Sequence, residues 1–300
     1  MTPERFLRRL RAEVRLLGVA AWRALVELVN SNDATHAASI AYYALLSFFP
    51  FLLLIFSLLG SITEDDNDRI AVLTFVFRYF PTQLDFVNTQ LIAFRETRFQ
   101  LGIAGSLALI WASLGVFGAV TSGVNEAWGV ERQRNFWKHR MVSFLMLVAA
   151  GGVMIVALLL VGAIKVAEAS SFGIMLTRFG WLAVFQTLTA DYLATVLLIV
   201  GVGLVYYFIP NAKTRFRDVW VGAALTGMLW RVAFDAFSWY ISRNKSMTMI
   251  HGSIAAVVVF LLWVYVSSII LMYGVEFTAG YARLRRRRPE EMSAAPSPRT

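Results

Sequence analysis

Arg231 and Asp235 lie four residues apart inside the apolar stretch Arg217–Ser242. On a helix, a spacing of four puts both on one face, where guanidinium and carboxylate can pair. On insertion scales each would cost about 2.5–3.5 kcal/mol at the centre of a membrane helix. Ala224, Gly227, Ser238 and Ser242 continue the same stripe. A small and polar stripe suits contact with protein or water rather than lipid. Two chemistries fit: the charged lining of a translocation cavity, or a buried clamp holding helices in register. Buried ion pairs often specify structure without adding much stability, and the pair taken alone favours the clamp.

A second group gathers near one end of the apolar segments. Glu276 lies late in His251–Tyr281, and Asn125 and Glu126 lie late in Leu101–Trp128. Two carboxylates at similar depth could bind a cation or relay protons. The plainer reading, which is favoured, bonds them to neighbouring arginines. Asp191 and His251 fall near the opposite end and carry less. Pro50, after Tyr42, Tyr43 and Ser47, removes a helical hydrogen bond and predicts a kink. Ala104, Ala108 and Ala112 repeat every four residues, as do Gly115, Ala119, Gly123 and Ala127, which lets helix backbones approach closely.

Catalytic chemistry has little to stand on. The chain has no cysteine and three histidines, so thiolate chemistry is excluded and no metal site is expected. Walker A, G-x-S-x-G and H-E-x-x-H patterns are absent, and no acidic cluster resembles a two-metal nuclease. The expectation is a protein that is not an enzyme, with no cofactor and no nucleic-acid partner.

The elements that must position these residues follow from composition. Among 300 residues, 58% are hydrophobic and 16% are charged, against roughly 25% charged in soluble domains. Too little polar material remains for a soluble shell, and 14% aromatic content is foreign to disorder. Six apolar runs can each cross about 30 Å of hydrocarbon: Ala34–Ile62, Leu101–Trp128, Lys138–Val166, Ala190–Ile209, Arg217–Ser242 and His251–Tyr281. Backbone polar groups cannot stay unpaired in lipid, so the runs must be helices. The predicted fold is all-α, with six transmembrane helices over residues 34–281.

An N-terminal segment, residues 1–33, precedes them. Phe6, Leu7, Leu10, Val14, Leu17, Ala21, Leu25 and Leu28 mark one helical face, and arginines sit mostly between them. That pattern predicts a basic amphipathic helix lying in the membrane interface, with packing on the end of the bundle as the alternative. The connection 63–100 reads as two amphipathic helices capping the bundle. Residues 282–300 read as a basic tail that becomes disordered beyond Arg288.

The basic residues orient the chain. Nineteen fall on one side, in the N-terminal segment, around Arg132–Arg140, at Lys213–Arg217 and in the tail, and eight fall on the other. The positive-inside rule then places both termini in the cytoplasm. The net charge of +9 suits an anionic leaflet, so the expected partners are membrane lipids, with homo-oligomerisation left open.

Several motifs carry a resemblance to the YihY/BrkB family. They are AYYALLSFFP with Tyr42, Ser47 and Pro50; VNEAW with Asn125; YYFIPNAKTRFRD with Pro210; FSWYI; and HGSIAAVVVFLLWVYVSSIILMYGVEFTA with Gly252, Trp263, Tyr265, Gly274 and Glu276. The resemblance covers residues 25–285 in the family's order. It implies six transmembrane helices in a bacterial inner membrane and brings no catalytic residues. Members have been labelled ribonuclease BN, virulence or serum-resistance factors, and some are linked to lipid or lipopolysaccharide export. Two departures stand out: His251 replaces a common tyrosine, and some members carry the charges of Arg231 and Asp235 with swapped signs.

The leading functional expectation is a transporter or flippase of a lipid-like envelope substrate. The alternatives are a non-transporting scaffold or envelope-integrity factor and, remotely, the tRNA-processing ribonuclease of the old label. A charged cavity would favour transport and solid packing a scaffold.

Overall fold

The computed structural model describes residues 3–62, 101–130, 195–212, 214–243 and 245–294, with eight further positions between 137 and 152. Among the described residues every regular element is an α-helix, and no strand occurs. The helices are α1 (Pro3–Asn30), α2 (Asp33–Ile62), α3 (Leu101–Ala127), α4 (Thr195–Phe208), α5 (Phe216–Arg243) and α6 (Lys245–Ala294).

Local chemistry sets their ends. Pro3 opens α1 where its missing N–H costs nothing. The carbonyl of Asn32 accepts from Thr35 and His36 N–H, making Asn32 the N-cap of α2. At the end of α3, Gly129 adopts φ 68°, Gly129 N–H bonds Glu126 O, and Val130 N–H bonds Asn125 O. This is a Schellman cap, whose left-handed residue favours glycine. Pro210 follows α4 and disfavours helix in the residue before it.

Helices α2 to α5 coincide with four of the expected apolar runs. Two segments among the described residues are long and apolar enough to cross a bilayer: Leu107–Ala127 in α3 and Val257–Arg286 in α6. Thr195–Phe208 is apolar but shorter. The third expected span is described only at scattered helical positions, where Met141, Phe144, Leu145 and Val148 are exposed. The outer cap, 63–100, lies outside the described residues. Helix α6 runs on from Arg288 through Pro289 to Ala294. Glu290, Glu291, Met292 and Ala294 are strong helix formers.

The chain divides into two compact units, and α3, α5 and α6 each contribute to both. The first comprises residues 1–31, 124–228 and 271–300. Its centre is a close crossing of α5 and α6. A Cβ on Gly222 would fall on Thr278 Oγ1, and a Cβ on Gly274 would fall on Thr226 Oγ1. Each threonine hydroxyl donates to the carbonyl four residues back, Thr226 to Gly222 O at 2.9 Å and Thr278 to Gly274 O at 2.6 Å. Two Gly-x-x-x-Thr faces therefore interlock, as small residues allow. Helix α1 docks on the same unit: Ala20 and Ala24 are buried with Phe277 and Tyr281, and Leu16, Leu17 and Ala21 pack around them. One face of α1 thus takes the packed arrangement rather than an interfacial one.

The second unit comprises residues 32–123 and 229–270. Trp263 of α6, 2% exposed, sits among Trp230, Phe234 and Phe237 of α5, with ring centroids 5.2–5.6 Å apart. Tyr43 of α2 lies where a Cβ on Gly115 of α3 would fall.

Candidate functional site

The polar residues of the first unit form tethers rather than an open cluster. Asn125, buried near the end of α3, accepts from Asn211 N–H at 2.9 Å, fixing the turn that follows Pro210. Arg283 of α6 donates to Ala127 O at 3.1 Å and lies 3.8 Å from Glu276, which is buried. The guanidinium thus serves an α3 carbonyl left over at the helix end and neutralises the Glu276 carboxylate. Glu276 is thus paired with an arginine. Glu126 is exposed, and its carbonyl belongs to the Schellman cap.

Further tethers bind α1, α4, α5 and α6. Asp218, 1% exposed in the first turn of α5, pairs with Arg285. A carboxylate there also complements the positive end of the helix dipole. Tyr281 donates to Glu13 Oε2 at 3.4 Å, and Tyr273 donates to Ala21 O at 3.1 Å. Going from Glu13 to Ala21 along α1 corresponds to going from Tyr281 back to Tyr273 along α6. The two helices are therefore antiparallel. Tyr206 of α4 lies at the α5–α6 crossing, with its hydroxyl 2.9 Å from Thr226 Oγ1 and donating to Leu271 O at 2.8 Å.

In the second unit, Arg231 Nε donates to Asp235 Oδ2 at 3.3 Å, so the two residues do pair. Their side chains are 45% and 60% exposed. The pair lies on an exposed side of α5, about 110° around the helix from the aromatic cluster. Met228, Val232 and Trp239 flank it, at 64%, 66% and 60% exposure. Near the helix end, Arg243 stacks over Trp239 with 5.1 Å to the ring centroid. The open face of α5 is apolar along much of its length, with one ion pair near the helix midpoint.

The remaining motif residues have structural placements. Ser47 donates to Ala44 O at 3.0 Å, and Tyr42 is exposed beside Tyr43. Pro210 is buried after α4, Trp263 centres the aromatic cluster, and Gly274 belongs to the α5–α6 crossing. Pro50 and Gly252 lie within α2 and α6, which remain helical across them; the surroundings of both fall outside the described side chains. Asp191 is outside the described residues.

Sequence reasoning missed Asp218, Arg285, Glu13, Tyr206 and the paired Gly-x-x-x-Thr faces. The last had a visible signal, because Gly222–Thr226 and Gly274–Thr278 repeat one spacing in two apolar segments. Among the described residues, no group of three or more His, Asp or Glu converges as for a metal ion.

Comparison with known proteins places this architecture. The chain is 28% identical to a UPF0761 membrane protein of Cronobacter sakazakii over 284 residues, 90% of this chain and 93% of that one. It is 24% identical to a UPF0761 membrane protein of Alteromonas mediterranea over 250 residues, 83% of each chain. It is 28% identical over 260 residues to a protein of Bacillus subtilis named a putative ribonuclease-like protein, YfkH, covering 85% and 92%. No solved structure matches it. A family model described as "Virulence factor BrkB" matches residues 25–298, spanning every motif behind the resemblance, α2 to α6 and only the last six residues of α1. The chain is therefore a membrane protein belonging to the BrkB family.

Proposed function

We propose that this protein is a six-span protein of the bacterial cytoplasmic membrane, with both termini inside, that passes the polar part of a lipid-like envelope substrate across the bilayer. The observation that carries the proposal is the Arg231–Asp235 pair, open on a face otherwise lined by Met228, Val232 and Trp239. Arg231 is roughly 22 Å from the start of α5 and roughly 18 Å from its end at 1.5 Å per residue. If α5 spans the membrane, both charges stand near the bilayer centre. Ionisable residues at that depth usually serve a substrate or ion path. Here Arg231 meets a phosphate or carboxylate headgroup, Asp235 competes for the guanidinium so that the headgroup can leave, and the acyl chains stay in lipid.

The reading is non-enzymatic. The name of the Bacillus subtilis relative points to a nuclease instead, and among the described residues no group of three or more His, Asp or Glu converges to support that. A scaffold role is favoured by the first unit, where Asn125, Arg283, Asp218 and Arg285 are engaged in tethers between elements.

Reconstituted in liposomes, the protein should speed movement of a labelled anionic lipid between leaflets. Arg231→Gln, which keeps a hydrogen-bond donor for Asp235, should lower that rate while the protein stays folded. Equal, slow movement with wild type and with an unrelated six-span protein, with or without an ion gradient, would replace transport by the scaffold reading.

A further inference from the structure

Helix α1 has two apolar faces, and only one of them is used. The docked face runs through Leu16, Leu17, Ala20, Ala21 and Ala24. At about 100° per residue, a second face is centred about 160° away around the helix. There Trp22 is 67% exposed and Val29 77% exposed, with Val14, Leu25 and Val26 beside them. The charges are sorted in the same sense. Arg11 and Arg15 fall within the exposed face and are exposed themselves, whereas Glu13 is turned inward to Tyr281.

We propose that this outward face of α1 docks on a lipid surface carrying anionic headgroups. Because α1 runs antiparallel to α6, its outward face descends into the lipid: Arg11 and Arg15 hold phosphates while Trp22 and then Val29 lie successively deeper. What distinguishes α1 is that its other side is fastened to α6 by Ala20, Ala24 and the Tyr273–Ala21 hydrogen bond. Helix α1 is therefore a layer between protein and lipid rather than a free anchor. An exposed tryptophan suits this position, because its amphipathic ring favours the membrane–water interface. The inference is independent of any headgroup path on α5.

Full-length protein in nanodiscs tests it. A spin label on Trp22→Cys or Val29→Cys should become accessible to oxygen and lose access to a water-soluble nickel reagent when phosphatidylglycerol is present. The relative association constant of spin-labelled phosphatidylglycerol over phosphatidylcholine should fall about fivefold for each arginine neutralised in Arg11→Gln and Arg15→Gln. Arg11→Lys with Arg15→Lys should keep the preference, which separates charge from misfolding. Labels that stay open to the nickel reagent in anionic discs overturn the proposal. So does a lipid preference unchanged in the glutamine variants, and so does disulfide cross-linking of Val29→Cys between two copies, which would assign the face to a second copy of the chain.

Discussion

Thr278 of α6 places its hydroxyl where the side chain of Gly222 on α5 would begin, and Thr226 of α5 does the same to Gly274 of α6. The reciprocity leaves neither helix room for one more carbon. Gly222→Ala should therefore lower stability by about 1–3 kcal/mol, the usual cost of overpacking. Adding Thr278→Ala removes the obstructing hydroxyl and should restore much of the loss. Thermal unfolding in detergent checks both, and a double variant no better than Gly222→Ala would mean that the crossing is looser than described.

The two acid–arginine pairs should respond differently to exchange of their residues. Asp218 is 1% exposed and Arg285 is 22% exposed, so Asp218→Asn should cost several kcal/mol, in the range of about 3–5 for a broken buried pair. Arg231→Ala should also destabilise, because at the depth proposed for α5 it leaves Asp235 unpaired on a lipid-facing side, at a cost of about 2.5–3.5 kcal/mol. Exchanging the two residues should be tolerated at 231 and 235. At 218 and 285 it should recover only part of the loss, since an arginine in the first turn of α5 opposes the helix dipole. Thermal unfolding of the four single and two exchanged variants measures the contrast.

Arg283 caps α3 from another helix. Arg283→Ala should fray the last turn of α3, and amide hydrogen exchange over residues 124–130 should accelerate. Losing a charge-assisted bond of this kind costs about 1.5–3 kcal/mol. Unchanged exchange there would show that the Schellman cap at Gly129 suffices alone.

Topology can be read with single cysteines, since the chain has none of its own. Ser293→Cys should resist an impermeant thiol reagent in intact cells, and Asn67→Cys should label. The opposite pattern would invert the proposed orientation.

Much of the fold was legible because helix length and apolar composition are local properties. The run Arg217–Ser242 anticipated α5 at Phe216–Arg243, and Leu101–Trp128 anticipated α3 at Leu101–Ala127. The four-residue spacing likewise anticipated the pairing of Arg231 with Asp235, which takes place within one helix. What escaped depends on which helices meet. Asp218 and Arg285 are 67 residues apart, and Tyr281 and Glu13 are 268 apart, so no local pattern joins them. Exposure was also illegible. Spacing fixes the face on which Arg231 lies but not what that face meets.

Several tethers in the first unit end on the main chain. Tyr206 reaches Leu271 O, Tyr273 reaches Ala21 O, Arg283 reaches Ala127 O, and Asn125 takes the N–H of Asn211. A carbonyl is present whatever residue supplies it. Drift at positions 21, 127 and 271 can therefore proceed without breaking these bonds, provided the backbone keeps its course. Selection falls on one partner only, and the two ends of each tether need not change together in evolution. At Asp218 and Arg285 both ends are side chains, and there a change at one position demands an answer at the other.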